Sequence, residues 1–393
     1  MKKLVSVIMM LCFSTLLSLF IGELLLRTFF SGLVEIQDRH PHAKKFFQFD
    51  PNLGWSNVPN LQGMHNCKDF SYQVSNNSHG MRFREISIDK PKGIKRITVI
   101  GDSFVWGMGV PDRERFTEVL ERQLNAKAEV LNFGVSGYGP LQYYLSIDRI
   151  LMFQPDLVIV VFCLGNDFAD NVLWERYGYY KPYATIDSDH KLRIEGYPLH
   201  NVKNMVNAPA FSFGKFIQQK LYLYRLFQIA VAKANKKSTV SLKQGGLTSF
   251  RDDQYDIYLG DVLSVTVKQA VSINEAILNA IKSRLKENKV ALAVVSAPTK
   301  CEYGGCFPNN RNPNFRARDI LATSLQKLKI PFIDVTSMLN LEDFYEHDYH
   351  WKVTGHQKVA YALKEWIEVN GINPDKQEIT TGCSLLFMES IYF

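Results

Sequence analysis

The sequence predicts an α/β protein: a three-layer sandwich around a parallel sheet of about five strands in flavodoxin-like order, preceded by one N-terminal transmembrane helix. Three observations carry that expectation. From Arg96 onward, β-branched apolar runs alternate with amphipathic segments, the signature of repeated βα units. Several of these runs stop abruptly in turns rich in Gly, Asn and Asp, where open α/β sheets place their chemistry. Finally, Leu4–Gly22 is an uncharged apolar stretch of 19 residues, just long enough to cross a bilayer.

That apolar stretch is preceded by Lys2 and Lys3, while Glu23 and Arg27 behind it cancel. The positive-inside rule puts the N-terminus in the cytoplasm and the remainder outside. A cleaved signal peptide is the alternative. No small-x-small site follows the apolar core, and apolar character continues through Leu24–Leu26 and Phe29–Phe30, so residues 1–30 are expected to stay as an anchor. Cys12 lacks the small neighbours of a lipoprotein site.

Residues 31–95 are a polar, turn-rich lead-in containing Asp50-Pro51-Asn52-Leu53-Gly54-Trp55 and Asn77-Ser78-His79-Gly80-Met81-Arg82, to which no chemistry is assigned. The main domain is expected over 96–371. Its first strand, around Ile97–Ile100, leads to a helix over Arg115–Leu124 with Phe116, Val119, Leu120 and Leu124 on one face. A short strand around Glu129–Phe133 is followed by helix Leu141–Met152 and strand Asp156–Cys163. Later come helix Leu263–Glu287, strand Val290–Ser296, helix Arg318–Leu328 and strand Ile330–Val335. Thr354 and Gln357 suggest a capping box for a closing helix that ends near Gly371.

About ninety residues, 168–258, interrupt the alternation and are too many for an ordinary connection. They hold Tyr177, Tyr179, Tyr180 and Tyr183 and a helical patch at Phe216–Lys233. The stretch is either a lid over the strand ends or a small packed subdomain. The tail, 372–393, is apolar towards its end and has no assigned role.

Composition excludes several classes. Net charge is +7, but the basic residues are scattered, and the densest cluster, Lys233 to Lys237, lacks interleaved aromatics, so nucleic acid binding is not indicated. Six cysteines are few for a disulfide scaffold. Cys301 and Cys306 flank a short loop that would close into a disulfide in an oxidising compartment, and Cys163 reads as a small core residue.

Four blocks carry the chemistry. Gly101-Asp102-Ser103 ends the first strand; Asn132-Phe133-Gly134-Val135-Ser136-Gly137 follows the second; Gly165-Asn166-Asp167 follows the third; Asp348-Tyr349-His350-Trp351 precedes the last helix. This order resembles the SGNH, or GDSL-type, hydrolase superfamily, over roughly Arg96–Gly371. A serine hydroxyl needs a base within reach and a third group to hold that base in one tautomer. The resemblance makes Ser103 the nucleophile, His350 the base and Asp348 its orienter. It gives the oxyanion hole to the backbone N–H groups of Ser103 and Gly137 and to the Asn166 amide. Glycine at 137 lets backbone approach a substrate closely.

The common family pattern puts the aspartate three residues before the histidine, where this chain has His347; Asp343 is therefore the fallback orienter. Asp-x-His-Trp looks more like the variant of SGNH-like proteins that O-acetylate exopolysaccharides. Ser136 is a rival nucleophile without an elbow around it. Asp102 and Asp167 read as structural, His356 as an ordinary partly buried residue, and His79 has no assignment. His347, Asp348 and His350 form a weak alternative metal cluster, since their spacing matches no zincin.

The resemblance implies a membrane-anchored bacterial serine esterase, periplasmic or extracellular, that removes a small acyl group, most plausibly acetyl, from an envelope or exported glycan. It implies no cofactor. A polysaccharide O-acetyltransferase served by a membrane acyl-donor partner, and a non-catalytic glycan-binding module, are the other readings.

Overall fold

A computed structural model describes residues 2–29, 46–125, 127–176, 179–187, 189, 191–199, 223, 265–305 and 314–372. The N-terminal unit contains α1 (Lys2–Phe29), whose Lys3–Phe29 portion has a mean hydropathy of 2.5 and is long and apolar enough to cross a membrane. Signal sequences share that length and composition.

In the larger unit, the lead-in is not a run of turns. It folds as β1 (Phe47–Asp50), β2 (Gly54–Asn57), β3 (Gln62–Asn66) and β4 (Ser71–Ser75), paired into two antiparallel hairpins. The first turn is held by the Asp50 carboxylate, which accepts the Asn52 and Leu53 N–H groups at 2.9 and 3.0 Å. Trp55 and Val74 are fully buried, so the segment belongs to the core.

The main domain follows the expected alternation. It comprises β5 (Lys95–Ile100), α2 (Ser103–Trp106), α3 (Phe116–Gln123), β6 (Ala128–Asn132), α4 (Pro140–Leu145), α5 (Ile147–Met152), β7 (Leu157–Cys163) and α6 (Asp167–Asp170). Two small hairpins come next: β8 (Glu175–Arg176) with β9 (Tyr179–Tyr180), and β10 (Tyr183–Ile186) with β11 (Leu192–Glu195). The chain then forms α7 (Val265–Glu287), β12 (Ala291–Ala297), α8 (Arg316–Leu328), β13 (Phe332–Ile333) and α9 (Val353–Asn370). The end of α6 and these hairpins belong to the described part of the 168–258 insertion. Apart from Leu223, the helical patch at 216–233 lies outside the described residues, as does the tail beyond 372.

The five-stranded sheet runs β13-β12-β7-β5-β6, with every pair parallel. In chain order this is 2-1-3-4-5, the flavodoxin-like order expected from the βα alternation. Both faces are covered, so its central strands are apolar throughout. Along β7, Val158, Val160 and Phe162 face α4, α5, α7 and α8, whereas Leu157, Ile159 and Val161 face α3 and α9. The lead-in hairpins join the first of these two cores.

The closing helix departs from expectation. It begins at Val353, with Lys352 at its N-cap and no side-chain cap, so Thr354 lies inside the first turn and makes no capping box with Gln357. The start is instead pinned from outside, because the Lys352 N–H donates to the Asp343 carbonyl at 2.7 Å. The expected helix over 141–152 is split at Ser146, whose N–H donates to the carbonyls of both Gln142 and Tyr143.

Arg96 locks the sheet's lower edge. Its fully buried guanidinium donates to the Ile88 and Phe153 carbonyls at 2.8 and 2.7 Å and pairs with Glu129 at 2.7 Å. Arg96→Met strands the two carbonyls and leaves Glu129 its longer pair with Arg84 at 3.8 Å. It should lower the free energy of unfolding by about 3 kcal/mol or more, measured by urea denaturation of the full chain in detergent; an unchanged midpoint would show that the network is dispensable.

Candidate active site

The four sequence blocks meet at the carboxyl ends of the sheet strands. β5 runs out at Ile100, and Asp102 caps α2 by accepting the Phe104 N–H at 2.9 Å. Ser103 is therefore the first residue of a four-residue helix, which ends at Gly107 in the left-handed conformation. So short a helix has little intrinsic stability. It is held by Arg82, whose guanidinium donates to the Trp106, Gly107 and Val110 carbonyls at 3.0, 2.6 and 2.7 Å.

The second block is fitted against this turn. Asn132 donates to the Val105 carbonyl at 2.7 Å and accepts the Gly134 N–H at 3.0 Å. A Cβ on Gly134 would lie 2.2 Å from the Trp106 nitrogen, so only glycine allows that approach. Gly137 has φ +79°, and its N–H, like that of Ser103, donates to no protein acceptor among the described residues.

His350 closes the arrangement from 247 positions away, with Nε2 at 2.6 Å from Ser103 Oγ. Its Nδ1 is hydrogen-bonded to Asp348 Oδ1, which also accepts the His350 backbone N–H at 2.9 Å. The two-residue spacing thus lets one carboxylate oxygen hold both ring and backbone. Asp343, the fallback orienter, is engaged elsewhere. It pairs with Lys358 at 2.7 Å and accepts the Asn340 N–H at 2.9 Å. The Ser136 carbonyl accepts the Trp55 indole N–H at 3.0 Å, while the hydroxyl that meets the imidazole is that of Ser103.

The loop carrying His350 is braced on both sides. Phe344 and Trp351 form a β-bridge, and the Trp351 indole donates to the Pro298 carbonyl at 3.0 Å. The Phe104 ring lies 4.9 Å from the imidazole and 4.6 Å from Trp351. The His347 N–H donates to Asp69 at 2.8 Å, in the turn joining β3 and β4. Tyr345 donates its hydroxyl to the Gly109 carbonyl at 2.8 Å, and the Gly109 N–H donates to the Tyr72 hydroxyl at 3.1 Å. The lead-in therefore touches the glycine block, the turn that follows Ser103 and the residue just before Asp348. The sequence marked Asp50–Trp55 and Asn77–Arg82 but assigned them no chemistry, because their partners lie far away in the chain.

Asn166, in the third block, donates to Asp170 Oδ2 at 2.8 Å and faces Asp102 Oδ2 at 3.4 Å. Asp102 Oδ2 is 3.5 Å from Ser103 Oγ. Three carboxylates crowd this corner. Burial pushes Asp102, Asp167 and Asp170 up; Arg176, ion-paired with Asp170, opposes the last of these shifts. Asp167 accepts the Cys163 N–H at 2.9 Å and the Tyr143 hydroxyl at 3.2 Å, so it is structural. The Lys181 ammonium donates to the Asp170 carbonyl, and burial lowers it to about 8. Asp170, Arg176 and Lys181 were not singled out as site residues; Asp170 stands one helical turn after Asn166, whereas no spacing links Arg176 and Lys181 to it.

Among the described residues, no group of three or more His, Cys, Asp or Glu is placed to hold a metal ion. Cys163 is a buried free thiol. Cys301 is disulfide-bonded, whereas Cys306 lies outside the described residues.

No family model and no curated protein matches the chain. Among solved structures it is similar to a GDSL-like lipase from Bacteroides thetaiotaomicron VPI-5482 (11% identity, 72% of this chain and 92% of that one, TM-score 0.34). It is also similar to an acetyl xylan esterase (11%, 69% and 99%, TM-score 0.37). An α/β hydrolase enzyme from the metagenome of Lake Arreo, Spain, gives 13%, 68% and 93%, with a TM-score of 0.35. Likeness at this level identifies neither substrate nor reaction.

His356 is fully buried rather than partly so, stacked on Phe116 and accepting the Phe116 N–H on Nδ1 at 3.2 Å. Burial, with Arg115 and Arg82 nearby, lowers it from 6.5 to about 3. Below pH 6.5 the unfolded chain takes up a proton that the folded chain refuses. This group therefore makes stability fall as pH drops from 6.5 towards 3, by up to about 1.4 kcal/mol per unit. Urea midpoints of the parent and of His356→Asn should converge as pH falls from 6.5 to 4.5; a constant gap would mean the imidazole is protonated in the fold.

Proposed function

We propose that this chain, an α/β protein of the SGNH type, is a serine esterase that removes a small acyl group, acetyl in our reading, from a cell-envelope or exported glycan. One observation carries the esterase reading: Ser103 Oγ lies 2.6 Å from His350 Nε2, with Asp348 behind Nδ1. A binding module has no need of a hydroxyl so connected. The acetyl and glycan parts rest on the resemblance of the Asp348-Tyr349-His350-Trp351 block to polysaccharide-modifying relatives of the superfamily.

In this mechanism, Ser103 Oγ attacks the acyl carbonyl while its proton passes to His350 Nε2. Asp348 keeps the other ring proton on Nδ1 and stabilises the imidazolium that forms. The carbonyl oxygen becomes an oxyanion received by the Ser103 and Gly137 N–H groups and the Asn166 amide. Collapse expels the alcohol, which takes the proton from Nε2. Water then attacks the acyl-serine, with His350 again accepting a proton, and the acid leaves as Ser103 Oγ regains one. Asp102 keeps the nucleophile's turn closed through Phe104 and takes no proton in the cycle.

The localisation we propose is a bacterial inner membrane, spanned once by α1, with the catalytic unit periplasmic or extracellular. The apolar length of Lys3–Phe29, the lysines ahead of it and the disulfide at Cys301 support this reading.

Hydrolysis of p-nitrophenyl acetate by the full chain in detergent is the test. Ser103→Ala should abolish it with circular dichroism unchanged, and Asp348→Asn should lower kcat by about 10³- to 10⁴-fold. Asp343→Asn should remain active. Equal background rates in parent and Ser103→Ala would overturn the esterase reading and favour a partner-dependent acyltransferase.

A further inference from the structure

The buried carboxylate of Asp170 is unused by the mechanism above, yet it makes the shorter of the two contacts to the Asn166 amide. The two residues are linked by one helical turn: the Asp170 N–H donates to the Asn166 carbonyl at 2.9 Å, which puts both side chains on one side of α6. The amide nitrogen carries two hydrogens. One is held by Asp170 Oδ2 at 2.8 Å; the other faces Asp102 Oδ2 at 3.4 Å, itself 3.5 Å from Ser103 Oγ.

We infer that Asp170 is a positioning residue for Asn166, fixing one amide hydrogen so that the other points towards Ser103, with Arg176 of β8 as its counter-ion. This rests on the oxyanion role proposed for Asn166.

The geometry distinguishes the two amide hydrogens. The short bond to an anion is the durable one, and the long one is readily exchanged for a developing oxyanion. Asn166 Oδ1 is buried and has no hydrogen-bond partner among the described residues, so no contact there on the oxygen holds the amide in place. Flipping the amide would set that oxygen against two carboxylates. Asp170 therefore selects the face on which Asn166 can donate. A carboxylate this buried stays charged only with a partner, and Arg176 supplies it from the hairpin that opens the insertion. Lys181, beyond the same hairpin, anchors the Asp170 backbone carbonyl. The insertion thus supplies the support behind the oxyanion donor.

The test is a double-mutant cycle on the full chain in detergent, with p-nitrophenyl acetate as probe. Asn166→Ala should lower kcat about 10²-fold. Asp170→Asn should lower kcat about tenfold with KM nearly unchanged, and should add nothing in the Asn166→Ala background. Arg176→Gln should reproduce part of the loss and Arg176→Lys restore it. Arg176→Gln also replaces Asp170→Asn in the cycle if that variant melts early. An equal further loss in the Asn166→Ala background, or no loss from Asp170→Asn, would overturn the inference while leaving the oxyanion hole intact. An unchanged kcat in Asn166→Ala would remove the oxyanion role and the inference with it.

Discussion

Burying the turn that carries Ser103 buries backbone carbonyls that no helix or strand can satisfy, and the surrounding structure answers that constraint. A four-residue helix closed by a left-handed glycine leaves the carbonyls of Trp106, Gly107 and Val110 pointing into the interior. Unpaired, each would cost free energy on the scale of a lost hydrogen bond. A single fully buried guanidinium, that of Arg82, meets all three, with its charge balanced by Asp112 at 2.8 Å. Its carbonyl in turn accepts from Arg115, the residue that caps α3. Planarity and five donors suit arginine to this; a lysine would leave carbonyls stranded.

The same constraint explains why the lead-in packs as it does. The sheet delivers three of the blocks to one edge, but parallel strands place loops near one another without bonding them together. The hairpins supply the bonds. The Trp55 indole and Asn57 amide meet carbonyls of the glycine block, Tyr72 and Arg82 meet the turn after Ser103, and Asp69 meets the His350 loop. Phe70 adds a ring contact 5.2 Å from Tyr345. Substitutions in these hairpins would act on the geometry of the loops that carry Ser103, Gly137 and His350.

What was legible in the sequence follows from the range of the signals. The β5, β7 and β12 strands are apolar runs with turn residues behind them, and the four blocks stand directly at strand ends, so local pattern located both the sheet and Ser103, Asn166 and His350. The lead-in strands are only four or five residues long, and in β3 most positions are exposed or half-exposed, so no period emerges. Several of its buried groups are polar: Arg82, His65 and Asn57 would pass for surface residues in any hydropathy reading. The choice between Asp348 and Asp343 was likewise beyond pattern, since both lie in the same irregular segment. The fold brings Asp348 to His350 Nδ1 and pairs Asp343 with Lys358 instead. Thr354 illustrates the converse: the local cap signal was not realised, since the helix starts one residue earlier, at Val353, and the Lys352 N–H bonds to Asp343.

The hydrogen bond between His350 and Ser103 spans 247 positions of chain. A ribosome releases this protein from the N-terminus, so the serine turn, the glycine block and Asn166 all emerge long before the imidazole. Throughout that interval the nascent chain carries a serine with no base. The contact can form only once the segment carrying His350, which directly precedes α9, has been made, and α9 packs with α3 in the second core. Any chemistry that needs this contact therefore waits until residue 350 has been synthesised and folded into place.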